Sequence, residues 1–198
     1  NVVVSNCTIS DTNRGISIQI RDGGHVKNVS FSNITITTRR FSESFWGCAE
    51  PITITTHDRD EHTPSGSIEG VRFSNIVCEG ENGVFLSGNA GNRLRDIRFE
   101  DVRVTLRATS KWPRGMYDLR PGPMAEGILH TPSPGFFLRW ADGVTLRDCK
   151  AVFAGEDRSD FGEALRAEHC GSLKLHDFEG KAARAGFEDI RLEDARWG

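Results

Sequence analysis

Val26-Lys27-Asn28-Val29-Ser30-Phe31-Ser32-Asn33-Ile34-Thr35-Ile36 returns as Ile68-Glu69-Gly70-Val71-Arg72-Phe73-Ser74-Asn75-Ile76-Val77-Cys78, and again as Leu94-Arg95-Asp96-Ile97-Arg98-Phe99-Glu100-Asp101-Val102-Arg103-Val104. Apolar and polar residues alternate within each copy, the period of a strand with one buried face, and an Asn or Asp follows the central aromatic by two. Fainter copies lie at Asn1 to Ile9, Ala141 to Val152, Cys170 to Gly180 and Phe187 to Ala195. One structural unit is repeated along the chain.

From Phe31 to Phe73 is about 42 residues, from Phe73 to Phe99 about 26, from Phe99 to Leu146 about 47 and from Leu146 to Leu175 about 29. A basic coil of roughly 25 residues with insertions fits these intervals. Most copies carry a second short strand after Gly or Pro: Gly15-Ile16-Ser17-Ile18-Gln19-Ile20, Pro51-Ile52-Thr53-Ile54-Thr55, Gly83-Val84-Phe85-Leu86-Ser87 and Gly135-Phe136-Phe137-Leu138-Arg139. Several strands per short coil, without the Leu-dense motif of a leucine-rich repeat, predict an all-β parallel β-helix of about six or seven coils. The chain from 1 to 198 then reads as one domain, with long loops at Thr37 to Ala49, His57 to Ser67 and Ala108 to Pro134. Phe31, Phe73, Phe99, Leu146 and Leu175 should share an inward stack. Asn6, Asn33, Asn75, Asp101 and Asp148 should fall on equivalent turn sites, where their side chains bond locally and tolerate a left-handed backbone.

The chain of 198 residues carries a formal net charge of -3 and 37% hydrophobic residues. Acidic and basic residues interleave along the strands, which speaks against a nucleic-acid footprint. No apolar run is long enough to cross a bilayer and no cleavable signal is visible, so a membrane partner is not expected. The five cysteines lack CxxC spacing, which predicts neither a zinc knuckle nor a redox dithiol. Cys7, Cys78 and Cys149 fall on apolar positions, whereas Cys48, inside an insertion, is the expected exception.

Solenoids place function where their loops grow. The insertions hold Trp46, Glu50, His57, Asp58, Asp60, Trp112, Tyr117, Asp118 and Arg120. Aromatic rings can stack on sugar faces, while carboxylates and guanidinium groups bond hydroxyls or anionic substituents, so Trp46, Glu50, His57, Trp112, Tyr117, Asp118 and Arg120 should form a carbohydrate groove on one lateral face. Glycoside hydrolysis needs two carboxyl groups about 5.5 Å apart for retention or about 6.5–9.5 Å for inversion, and Glu50, Asp58, Asp60 and Asp118 are the loop carboxylates that could supply them. The run His57-Asp58-Arg59-Asp60-Glu61-His62 lacks the spacing of a metal site and reads as a solvated loop.

The run Asn13-Arg14-Gly15-Ile16-Ser17-Ile18-Gln19-Ile20-Arg21-Asp22-Gly23-Gly24-His25-Val26-Lys27-Asn28-Val29-Ser30-Phe31-Ser32-Asn33-Ile34 resembles the late coils of glycoside hydrolase family 28, the polygalacturonase-like enzymes. Pro51-Ile52-Thr53-Ile54, Trp112-Pro113 and Asp118-Leu119-Arg120-Pro121 are similar to a bacterial branch of it, and the likeness spans about Asn1 to Val152. The resemblance implies a right-handed β-helix, a secreted or periplasmic location, and inverting hydrolysis of pectic or related polysaccharides without metal or cofactor. The catalytic aspartates of that family precede its glycine-led strand, and no residue here matches them. The family's Gly-x-Arg-x-Lys reads Ser17 and Gln19 here, leaving Arg14 and Arg21 to contact an acidic sugar. The expected arrangement is the C-terminal part of a longer β-helix, with upstream coils or an oligomer partner covering the strand edge at Val2 to Val4. The alternatives are a non-catalytic glycan-binding or assembly β-helix and a polysaccharide lyase. A lyase would want a Lys or Arg base and often calcium at a carboxylate cluster, for which Asp58 to Glu61 is a poor match.

Overall fold

A computed structural model describes residues 1–43, 46–120 and 127–198, and these form an all-β fold. In chain order the strands are β1 (Val2–Thr12), β2 (Ile16–Ile20), β3 (His25–Thr38), β4 (Ile52–Thr56), β5 (Ser67–Gly80), β6 (Val84–Ser87), β7 (Leu94–Arg107), β8 (Met116–Asp118) and β9 (Ile128–His130). There follow β10 (Phe136–Arg139), β11 (Ala141–Asp142), β12 (Thr145–Arg147), β13 (Lys150–Ala154), β14 (Leu165–Glu168), β15 (Lys174–His176), β16 (Glu179–Gly180) and β17 (Ile190–Glu193). The first sheet runs β1-β3-β5-β7-β12-β15, with β11 and β13 also on β7 and β16 on β13. The second runs β2-β4-β6-β10-β14-β17. Every pairing in both sheets is parallel; the small hairpin of β8 and β9 is antiparallel. Both sheets are open.

Register follows the sequence repeat. Val4 pairs with Phe31, Phe31 with Phe73, Phe73 with Phe99, Phe99 with Leu146 and Leu146 with Leu175. The three phenylalanine rings stack at 5.2 and 4.9 Å, and Phe99 meets Phe136 of the second sheet edge-on at 5.8 Å, so one core joins both sheets. Phe73, Phe99 and Leu146 are fully buried, and Phe31 and Leu175 pack against them at the two ends. A buried Phe contributes roughly 1.5–3 kcal/mol, so this row is a principal support of the fold.

The asparagines explain how strands as long as β5 stay in contact with the core. Asn6, Asn33, Asn75, Asp101 and Asp148 all take left-handed φ between 50° and 56°. Such a residue shifts the in-out alternation by one, so that Phe73 before Asn75 and Ile76 after it both face inward. Asn and Asp accept this geometry at the least cost among residues with a side chain. Their amides also link the repeats: Asn33 Nδ2 donates to Asn6 Oδ1 at 3.1 Å, and Asn75 Nδ2 to Asn33 Oδ1 at 2.9 Å.

The loops differ from expectation in three ways. Strand β3 continues through Thr38, so the first insertion starts at Arg39. The third insertion contains β8 and β9, strands too short for alternation to reveal in sequence; residues 44–45 and 121–126 of the insertions lie outside the described residues. Cys48 is not the exposed thiol expected: it is buried, and desolvation, then the nearby Glu50 charge, push its pKa up to about 12. Two buried charges root the insertions. The Arg40 guanidinium donates to the carbonyls of Pro113, Ser42 and Glu43, while Glu81 accepts from Arg40 N, Thr109 and Ser110.

Candidate functional site

Along the second sheet Ile16, Ile18, Ile52, Ile54 and Leu86 enter the core, so the alternate residues Ser17, Gln19, Thr53, Thr55, Phe85, Ser87, Phe137 and Arg139 face outward. Outward does not mean exposed here. Thr53, Thr55 and Ser87 are all at or below 1% exposure, roofed by the side chains and loops that cross this face. The hairpin supplies part of the roof, since Tyr117 packs on Phe85 at 4.3 Å and on Phe137 at 5.4 Å.

Charged groups collect beside the threonines. Arg14 Nε lies 3.4 Å from Glu50 Oε2, and the same oxygen accepts from Cys48 N at 2.8 Å. Asp118, 8% exposed, holds Arg120 through both carboxylate oxygens at 2.9 and 2.6 Å and through Arg120 N at 3.0 Å. Burial raises the Asp118 pKa, but its bonds to Arg120 and the positive field of Arg120 and Arg14 outweigh that and lower it overall. Arg21 is depressed by burial, then by the like charge of Arg14, against the pull of Asp118. His57 falls to about 4 through burial, then Arg21 and Arg139, with Asp58 opposing, so its ring is neutral at pH 7. Its Nε2 lies 3.2 Å from Ser87 Oγ. These mutual influences bring Arg14, Arg21, Glu50, His57, Asp118 and Arg139 into one neighbourhood.

Besides the Tyr117 hydroxyl, three buried polar atoms on the strands there and their ends have no hydrogen-bond partner among the described residues: Thr53 Oγ1, Thr55 Oγ1 and Arg21 Nη1. An orphaned buried polar group costs about 1–3 kcal/mol, and water or a ligand rich in hydroxyls or carboxylates would satisfy all three. No group of three or more His, Cys, Asp or Glu among the described residues is arranged to hold a metal ion.

The remaining candidates are distributed differently. Trp46 is 47% exposed beside Gly47, which packs on Asn13 and Arg14, and so stands at the rim. Trp112 lies at the root of the third insertion under Lys111, its N–H held by Ser110. Tyr117 has no exposed surface; desolvation raises its pKa and its hydroxyl sits beside Ser133, so its ring has no face free for a sugar. Asp58 is exposed and accepts from the N–H and hydroxyl of Ser65, bonds that lower its pKa and fold its own loop; Asp60 similarly accepts from His62 N. Thr53, Thr55, Ser87 and Arg139 were not singled out in sequence. The signal available was the polar half of the alternation in the short strands. Comparison with models of known protein families and with curated proteins finds no match.

Proposed function

We propose that the paired repeats are coils of a right-handed parallel β-helix, and that the outer face of its second sheet holds an acidic polysaccharide as part of a secreted or periplasmic polygalacturonase-like glycoside hydrolase. The observation that carries the reading is the roofed strip at Thr53 and Thr55. Unsatisfied hydroxyls suit sugar hydroxyls, and the unpaired Nη1 of Arg21 suits a uronate carboxylate, while Arg14, paired with Glu50, and Arg139, paired with Glu168 at 2.7 Å, add positive charge nearby. In-register parallel pairing and left-handed Asn rows support the β-helix.

Glu50 and Asp118 are engaged by arginines and Asp58 by Ser65, and the lowered pKa of Asp58 and Asp118 unsuits either for donating a proton to a leaving group. The inverting pair is therefore assigned to residues outside this chain, whose role is to hold and orient substrate. The same observation favours a second reading, a glycan-binding β-helix with no hydrolytic step.

Titration calorimetry with oligogalacturonides and with neutral oligosaccharides tests the site. Acidic ligands should bind tighter, and Arg21→Ala should weaken them by about 10- to 100-fold, the loss of a charge-assisted bond. Equal binding of neutral ligands, with no effect of the variant, refutes the site. Hydrolysis of polygalacturonan by the encoded polypeptide but not by these 198 residues separates the enzyme from the binding module. Cleavage by the 198 residues alone, abolished in Asp118→Asn, would return catalysis to this chain.

A further inference from the structure

Toward the end of the second sheet the outward-facing residues become charged. Arg139 (β10), Glu168 (β14) and Glu193 (β17) continue the column of Thr55 and Ser87, while Arg166 and Arg191 continue that of Thr53, Phe85 and Phe137. Glu168 is 8% exposed; one of its oxygens accepts from Arg139 Nε at 2.7 Å and the other lies 2.7 Å from Arg166 Nη2. Arg166 is also tied to Thr131 Oγ1 at 2.9 Å and lies 3.6 Å from Glu193, which meets Arg191 in turn. The guanidinium groups of Arg139 and Arg166 stand 5.7 and 5.3 Å from the centre of the Phe137 ring.

These three arginines are used differently. Arg166 and Arg191 are turned to carboxylates of this chain, and Arg191 lies 3.7 Å from buried Glu163 as well. Arg139 gives only Nε to Glu168. Neither of its Nη groups has a hydrogen-bond partner among the described residues, although the side chain is only 19% exposed. An ion pair serving stability alone closes the guanidinium fork on both oxygens of one carboxylate, as Arg93 does on Asp142 at 2.7 and 2.9 Å. Here Glu168 takes one edge of the fork and leaves the other open. The positive charge of Arg139 is felt at the His57 ring on the strip, as is that of Arg21 from the β2 side.

We propose that Arg139, fixed in place by Glu168, binds a second free carboxylate of the acidic chain held at Arg21, so that the ligand must carry free carboxyl groups on more than one sugar unit. This rests on the carbohydrate reading above and adds to it a requirement on the ligand. Arg21 follows β2 and Arg139 ends β10, three rungs apart, about 14 Å of backbone at roughly 4.8 Å per rung, with His57 and Ser87 on the rungs between. A span of that length exceeds one pyranose ring, so a chain of sugars reaches both arginines. The open Nη edge offers two parallel N–H donors, the geometry of a bidentate carboxylate, which an uncharged ester matches poorly. Glu168 is then a positioning residue: it orders the guanidinium before the ligand arrives, so less freedom is lost on binding.

The test is titration calorimetry with de-esterified and with methyl-esterified hexagalacturonate on the wild type, Arg139→Gln, Arg139→Lys and Glu168→Gln, with Tm measured for each. The wild type should favour the de-esterified ligand. Arg139→Gln should weaken that ligand by about 10- to 100-fold, the loss of a charge-assisted bond, and change the esterified one little. Arg139→Lys keeps the charge and can pair with Glu168 but has no fork, and should bind about 3- to 10-fold more weakly than the wild type. Glu168→Gln should also weaken the de-esterified ligand; tighter binding would show that Glu168 only cancels charge, and overturns its positioning role. Wild-type affinity in both Arg139 variants overturns the second contact, and a continued loss in Arg21→Ala then leaves the reading beneath it standing. A lowered Tm with unchanged affinity marks the ion pair as structural and likewise overturns the contact, as do equal losses for the two ligands. Should Arg139→Gln fail to fold, Arg139→Lys decides alone. A wild type that binds no de-esterified ligand removes both the contact and the carbohydrate reading.

Discussion

Replacing Glu81 by Gln should loosen both insertions that flank the candidate site, and the cost can be worked from its bonds. Oε1 accepts from Thr109 N and Thr109 Oγ1 at 2.7 and 2.9 Å and from Ser110 N; Oε2 accepts from Arg40 N at 2.7 Å and Ser110 Oγ at 2.8 Å. The least damaging amide orientation puts NH2 in place of Oε2. The Ser110 hydroxyl can then rotate to accept, but the Arg40 N–H faces another donor and loses its partner. One backbone bond disappears at a side chain only 1% exposed, and the other four lose charge assistance, for a cost of about 2–4 kcal/mol. In a chain of this size that lowers Tm by roughly 4–16 °C, measured by circular dichroism or calorimetry.

The pH dependence of that loss has a definite sign. Burial raises the Glu81 pKa, but backbone bonds from Arg40, Ser110 and Thr109 outweigh it and place it below the ordinary 4.5. Its contribution is therefore complete above the unfolded value and is lost as pH falls through the lowered folded value. The Tm gap between wild type and Glu81→Gln should be constant near neutrality and close in acid. A variant melting within a degree or two of wild type at pH 7, or a gap that widens in acid, refutes the reasoning.

Two further predictions concern the repeat itself. Phe73→Ala should cost about 3–5 kcal/mol in urea unfolding, because it removes the middle ring of the three-ring stack; unchanged stability would exclude that row from the core. Asn33→Ala should cost roughly 1–3 kcal/mol and Asn33→Gly less, since Ala loses both links of the amide ladder and strains the left-handed backbone, whereas Gly loses only the links; equal melting of the two variants would show that backbone conformation contributes nothing.

What the sequence showed and what it hid divide along physical lines. The rows Phe31-Phe73-Phe99 and Asn6-Asn33-Asn75 were legible because each repeat solves the same local problem with the same residue types. Arg14 and Arg21 could be named because the run around them resembles a known substrate-binding strand, and His57 and Asp118 because they fall in insertions. Whether an aromatic ring covers a core or offers a face to a ligand depends on its neighbours across the fold, which explains why Tyr117, a loop tyrosine in sequence, is sealed between Phe85 and Phe137. Arg40 is the largest fully buried side chain, yet in sequence it is one more surface arginine. Thr53 and Thr55 look like ordinary strand residues. Only the roof over them turns their hydroxyls into a cost.

That cost falls on one side of the second sheet. Unmet hydrogen bonds at Thr53, Thr55 and Arg21 gather on one side of the second sheet, while the opposite face of the same strands is apolar and closely packed. A sheet under selection for stability alone would fill the roofed strip with Val and Ile. Substitutions of that kind should stabilise this face, whereas polar substitutions at Ile52 or Ile54 on the inner face should destabilise the fold by stranding polar groups in the core. The asymmetry puts the unmet polar groups on the outer face and the packed core on the inner one.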